Sequence, residues 1–164
     1  MALKIVEGAV AELGEATALA SEAGPTGISW SFVRFDRGQR AAVTLERVMA
    51  DPVMAKRIAP KQAGRFAFYL FDRQLVLCGF AGAGGIEIAK LESDPAAIAA
   101  DAIRLPAKRK IFWGVVLIPT IIGLFFAFDM IRAGRAKLKA NPAPKRPSDE
   151  RVTARLKGQW WRLW

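Results

Sequence analysis

At 164 residues the chain has room for one globular domain of ordinary size plus accessory segments, and two large domains are excluded. Hydrophobic residues make up 52% and charged residues 24%, with a mean hydropathy of +0.18, too apolar for a disordered chain and too charged for a multispanning membrane protein. Lys and Arg (25) exceed Asp and Glu (15) by 10, which points to anionic partners; the absence of histidine and a single cysteine, Cys78, exclude imidazole chemistry and intrachain disulfides.

The opening residues, MALKIVEGAVAEL, contain no apolar block of signal-peptide length, so the domain is expected to be made without an export tag. Lys4 to Leu13 mixes Val and Ile with Glu and suits a strand, whereas the Ala, Leu and Glu of Ala9 to Ala20 suit a helix, and the pattern leaves both open. Gly24, Pro25, Thr26 and Gly27 break the chain. Ile28 to Phe35 then alternates, with Ile28, Trp30, Phe32 and Arg34 on one face and Ser29, Ser31, Val33 and Phe35 on the other, and predicts a strand. Asp36, Arg37 and Gly38 make its turn, and Gln39 to Val48 is its hairpin partner.

Asp51 before Pro52 is an N-cap with proline at the first helical position and predicts a short helix to Arg57, ended by Pro60. Arg65 to Phe71 and Gln74 to Phe80 form a second hairpin about Asp72 and Arg73, with a further strand at Ile86 to Leu91. Ser93 and Asp94 before Pro95 start another helix. The expected fold is α+β: a small, mainly antiparallel β domain of about five strands with short helices, followed by one transmembrane or re-entrant helix and a basic C-terminal tail helix. The expected boundaries are 1–107 for the domain, 108–132 for the membrane helix with its basic flanks, 133–147 for a Lys/Arg/Pro-rich linker, and 148–164 for an amphipathic, Trp-rich tail.

The membrane expectation rests on Ile111 to Phe128, eighteen residues without a charge. As a helix this run is about 27 Å long against a hydrocarbon core of roughly 30 Å. Lys108, Arg109 and Lys110 before it, and Arg132 and Arg135 after it, are placed to reach lipid phosphates, with Trp113 as an interfacial aromatic. Charge within twenty residues of the run, four basic residues before it and six after it, favours a single pass with a cytoplasmic tail. That topology moves an untagged domain across the membrane, however, and Pro119 offers a re-entrant wedge as the alternative. Gly123 and Ala127 form a small-xxx-small pair for contact with a second helix.

After Asn141, Pro142, Pro144 and Pro147, the residues Val152, Leu156, Trp160 and Leu163 make one apolar stripe on a cationic helix. Trp160, Trp161 and Trp164 direct it to a headgroup boundary or to a groove on a partner. Clustered Gly79, Gly82, Gly84 and Gly85 lack the spacing of a dinucleotide fingerprint or P-loop and read as a hairpin connection. Cys78 has no imidazole to activate it and reads as a small core residue. No catalytic, cofactor-binding or metal-ligating set stands out, and nucleic acid is disfavoured for want of a reader module. The sequence therefore leads to a non-catalytic membrane-anchored adaptor or accessory subunit, partnered by the lipid bilayer and by a membrane protein or a second copy. A membrane-bound enzyme or small-ligand domain, and a lipid-surface protein acting through its tail, are the alternatives.

Overall fold

A computed structural model describes residues 3–21, 24–90, 92–117, 121–141 and 145–158. The fold is α+β, with a seven-stranded sheet, β1 (Leu3–Leu13), β2 (Ala16–Ser21), β3 (Gly24–Arg37), β4 (Arg40–Ala50), β5 (Ala63–Phe71), β6 (Gln74–Gly82) and β7 (Gly85–Ile88). Helix α1 (Pro52–Ala55) lies between β4 and β5, and α2 (Pro95–Leu117), α3 (Ile121–Ala140) and α4 (Asp149–Leu156) follow the sheet. Two compact units result: Met1–Ala96 with Lys145–Trp164, and Ala97–Pro144.

The sheet closes on itself. β1 pairs with β5, β5 with β6, β6 with β4, β4 with β3, and β3 again with β1; only β4 and β6 run parallel. Five strands thus form a small barrel, closed where Val48 and Met49 pair with Leu75 and Val76, and β7 extends it from β6. The first element is a strand, not a helix, because its alternate residues Val6 and Val10 fill the interior. Tertiary burial outweighs the helical preference of Ala and Glu. β2 continues β1 in register against β3 (Leu13 opposite Val33, Ala16 opposite Trp30), across an interruption at Gly14 and Glu15.

The barrel interior holds Val6, Val10, Trp30, Val33, Phe35, Leu45, Val48, Phe66, Phe68, Leu77 and Phe80. Phe35 and Phe80 stack against Phe66 at 4.9 and 5.0 Å between centroids, distances at which aromatic pairs attract beyond simple area burial. The simple alternation expected for Ile28 to Phe35 does not persist along β3. Ile28 and Trp30 face the interior, then Val33 and Phe35 do, with the change opposite Arg47, whose φ of 52° turns the partner strand.

α1 starts at Pro52 under an N-cap from Asp51, whose Oδ1 accepts from the amides of Val53 (2.8 Å) and Met54 (2.7 Å). The β5–β6 turn places Asp72 and Arg73 at φ 43° and 62°, the pair of positive values that suits a two-residue hairpin loop.

β5 and β6 are buried on both faces, which accounts for the apolar character of this stretch. Phe66 and Phe68 point inward, whereas Ala67 and Tyr69 join Val76, Cys78, Met49 and Ala96 in a second, outer cluster. Cys78 is the extra residue of a bulge, since Ala67 pairs with Gly79 and Phe68 with Leu77. The outer cluster is completed by Val152 and Leu156 of α4, which are 0% and 2% exposed. A glycine inside a strand often marks a close approach. A Cβ on Gly79 would lie 2.7 Å from Val152 Cγ1 and 3.0 Å from Leu156 Cδ1. Just past the end of α4, Gly158 takes a φ of 72°, and the Arg65 guanidinium donates to the Leu156 carbonyl at 3.2 Å, satisfying one of the helix's free terminal acceptors.

The charge-free run is divided between α2 and α3 rather than forming one helix. Among the described residues no helix is long and apolar enough to cross a membrane. Within their unit α2 and α3 are antiparallel: a Cβ on Gly114 would come within 3.1 Å of the Ala127 carbonyl, and one on Gly134 within 2.8 Å of the Ala107 carbonyl. Arg104 donates to the Asn141 carbonyl (3.2 Å) at the open end of this helical hairpin. Residues 118–120, with Pro119, lie outside the described residues, as do Pro142 and Pro144.

Replacing Gly79 with Val is expected to force α4 off β6, with a loss of about 1–3 kcal/mol typical of overpacking. The denaturant midpoint should fall, and trypsin should cut at Arg151 and Arg155 in the otherwise folded protein.

Candidate functional site: a helical hairpin and its clasp

The chain leaves the barrel unit at Ala96 and re-enters it at Lys145. Three side chains meet where it does so. Tyr69, on β5, donates its hydroxyl to Asp94 Oδ2 at 2.6 Å, and the other Asp94 oxygen accepts from the Ala96 amide at 3.0 Å, fixing the start of α2. Arg146 lies 3.6 Å from Asp94 Oδ2, donates to the Ala89 carbonyl, and reaches Asp149 at 3.2 Å. Asp94 and the Arg146 side chain are 2% and 7% exposed, so this is a buried ion pair joining the residues just before the excursion to those just after it. Such a pair is costly to break on one side, because the remaining charge stays buried and unpaired.

Burial pushes the Tyr69 hydroxyl well above its ordinary value; the bond to Asp94 and that carboxylate's charge push it the same way, and Arg146 opposes them. Burial likewise pushes the Cys78 thiol up to about 12, again opposed by Arg146. Its sulfur points to the Ala67 carbonyl at 3.3 Å, and the residue packs under α4. The environment therefore holds this thiol protonated, the reverse of what a nucleophile needs.

The hairpin carries the second set of features. Ala107 and Ala127 are buried in the seam where Gly114 and Gly134 let the two helices approach, while Phe112, Trp113, Val115, Val116, Phe126 and Phe128 are exposed by 45–68%. Large apolar groups grouped on one surface are what protein and membrane contact surfaces carry in general. Lys108, Arg109, Lys110, Arg132 and Arg135 are exposed at the open side of these apolar arms. The seam contacts set Gly134 beside Ala107 and Ile111, so the basic residues of α2 stand level with those of α3. The unit Ala97–Pro144 contains eight Lys and Arg against two Asp, hence +6 of the chain's +10.

Of the small pair picked out in the sequence, Ala127 faces α2 of the same chain; Gly123 lies in α3, with its surroundings outside the described residues. Gly114 and Gly134 were missed. Their signal was the seven-residue spacing of small residues on each arm, Ala107 to Gly114 and Ala127 to Gly134. The tail stripe also differs from expectation: Val152 and Leu156 are covered by the barrel, so these two positions are closed to a lipid surface. Trp160, Trp161, Leu163 and Trp164 lie outside the described residues. Of the glycine stretch, Gly79 accommodates α4, and Gly82 pairs with Gly85 at the β6–β7 turn.

Two surface grooves complete the picture. One, of about 780 Å³, runs past Glu7, Gly8, Asp36, Arg37, Arg40 and Arg65 and is open and of mixed charge, with Arg65 paired to Glu7 at 3.3 Å. The other lies over Glu12, Ser31, Phe32, Arg34, Thr44 and Glu46 on β1, β3 and β4. Five-stranded barrels that bind oligonucleotides use the face of their second and third strands. Here Glu46 of β4 lies on that face and Glu12 of the neighbouring β1 pairs with Arg34 at 3.6 Å. Most aromatics of the described barrel residues point inward, away from any surface on which bases could stack.

Replacing Arg146 with Met is expected to cost about 3 kcal/mol, as for other buried pairs broken on one side, and adding Asp94→Asn should recover part of the loss; chemical denaturation of the two variants checks this. The raised values of Tyr69 and Cys78 mean that the unfolded chain gives up these protons first as pH rises. Stability should therefore be unaffected by these groups below about pH 8 and decline from about pH 9 upward. Cys78→Ala should remove the earlier part of the decline, and Cys78 should react with a maleimide only after unfolding.

Compared with protein-family models, curated proteins and solved structures, the chain matches none.

Proposed function

We propose that this protein is a non-catalytic adaptor or accessory subunit that holds its barrel at a membrane surface through the α2–α3 hairpin. The observation that carries this reading is the group of large apolar side chains left exposed on the hairpin, Phe112, Trp113, Val115, Val116, Phe126 and Phe128. In water each would cost about 2 kcal/mol relative to burial, and together they form the kind of patch that lipid or a partner covers. The basic residues beside them support lipid, since they place positive charge at phosphate level while the rings remain in the apolar phase.

The barrel's contribution is a presented surface. Its interior is filled with hydrocarbon and aromatic side chains, its outer β5–β6 face is covered by α4, and its one thiol is held protonated. What remains outward is a mixed-charge exterior suited to a protein partner in a membrane complex. Anchoring such a surface raises the local concentration of whatever binds it.

Replacing Phe112, Phe126 and Phe128 together with Ser is expected to move the protein from the membrane pellet to the soluble fraction without changing the melting of the barrel. Unchanged membrane association of that variant overturns the reading. Cross-linking in intact membranes before solubilisation tests the adaptor half: recovery of the protein without any linked membrane protein counts against it.

A further inference from the structure

The barrel and α4 belong to one packed unit, although the hairpin lies between them in the chain. Val152 and Leu156 are sealed against Gly79, Val76 and Tyr69, and Arg146 is buried with Asp94. Two parts of one hydrophobic cluster occupy the same aqueous compartment. Any membrane excursion of residues 97–144 must then return to the side from which it began. This rests on the membrane reading above and fixes what that reading leaves open.

Length decides between the two ways of returning. Crossing twice needs about 20 apolar residues in each arm. The charge-free part of α2 runs from Ile111 to Leu117, and that of α3 from Ile121 to Phe128. At 1.5 Å per residue these arms reach about 10–12 Å, within the roughly 15 Å depth of one leaflet's hydrocarbon. The collar of Lys108, Arg109 and Lys110 stands level with Arg132 and Arg135, so one membrane face meets both rows of charge. Acidic groups are sparse there: Asp129 is the one carboxylate among residues 108–135.

We propose that the hairpin enters a single leaflet without crossing, from the side that holds both the barrel and α4, with its collar on anionic phospholipid headgroups. Charge complementarity identifies the lipid class, because each Lys or Arg near an anionic surface contributes attraction that a zwitterionic surface does not supply.

The test uses the full chain, in sealed membrane vesicles of known orientation, with a membrane-impermeant maleimide. Cys78 is buried and provides a quiet background. Lys56→Cys reports on the barrel, Lys157→Cys on α4, and Val116→Cys on the apolar arm. The first two are expected to be labelled together or protected together in either vesicle orientation, and Val116→Cys to stay protected in both until detergent is added. Labelling of the barrel and α4 from opposite faces, or of Val116→Cys from the far face, overturns the inference. Flotation with phosphatidylcholine vesicles, with and without phosphatidylglycerol, tests the collar. Lys108→Gln, Arg109→Gln and Lys110→Gln combined should lower binding to the anionic vesicles by about a hundredfold and leave binding to the neutral ones unchanged. Equal loss on both surfaces overturns the headgroup assignment. If the unaltered protein floats with neither, the membrane reading itself fails, an outcome distinct from the labelling results.

Discussion

The buried contact between the chain's return segment and the sheet organises the molecule. Without Arg146 on Asp94 and without Val152 and Leu156 over Gly79, the outer face of β5 and β6 would expose Tyr69, Val76 and Cys78 to water. The interior of a five-stranded barrel is small, and a second layer of burial is what lets a short chain bury more of its apolar surface. One helix of eight residues supplies much of it, and its position depends on a missing side chain at one strand residue.

That contact also joins, within the barrel unit, the two roots of the excursion: Asp94 just before it and Arg146 just after it. The pair Asp94–Arg146 sits at those roots and is charged, so its partners are specific: Asp94 also sets the first turn of α2 and accepts from Tyr69, linking the helix start to the sheet. Breaking such a pair on one side leaves a buried, unpaired charge, so both partners are needed together.

Much of the barrel was legible because its signals are local. Asp36, Arg37 and Gly38, then Asp72 and Arg73, punctuate runs that alternate or are richly branched, and Asp51 before Pro52 starts α1 where expected. The first element was ambiguous because Ala, Glu and Leu are content in either state and only Val6 and Val10 commit it to the sheet. The face change in β3 was invisible because it falls opposite Arg47, a positive-φ residue on the neighbouring strand that no local pattern of β3 contains. The apolar run exposed its chemistry but not its path: whether it continues or doubles back depends on Gly114 meeting Ala127, a contact between residues thirteen apart. The tail's stripe was read as meeting lipid or a partner, whereas Val152 and Leu156 meet the chain's own sheet at a glycine gap in β6 more than seventy residues earlier, a contact no local pattern reveals.

The order in which the polypeptide is made gives the returning helix a further meaning. Synthesis proceeds from the N-terminus, so every barrel strand and the greasy hairpin emerge before α4 exists to close the outer layer. The nascent domain therefore passes through a stage in which the outer face of β5 and β6 presents bare hydrocarbon. Until α4 has been made, Tyr69, Val76 and Cys78 lack the lid that Val152 and Leu156 later supply, so the sheet is completed in two stages, its inner layer first and its outer layer last.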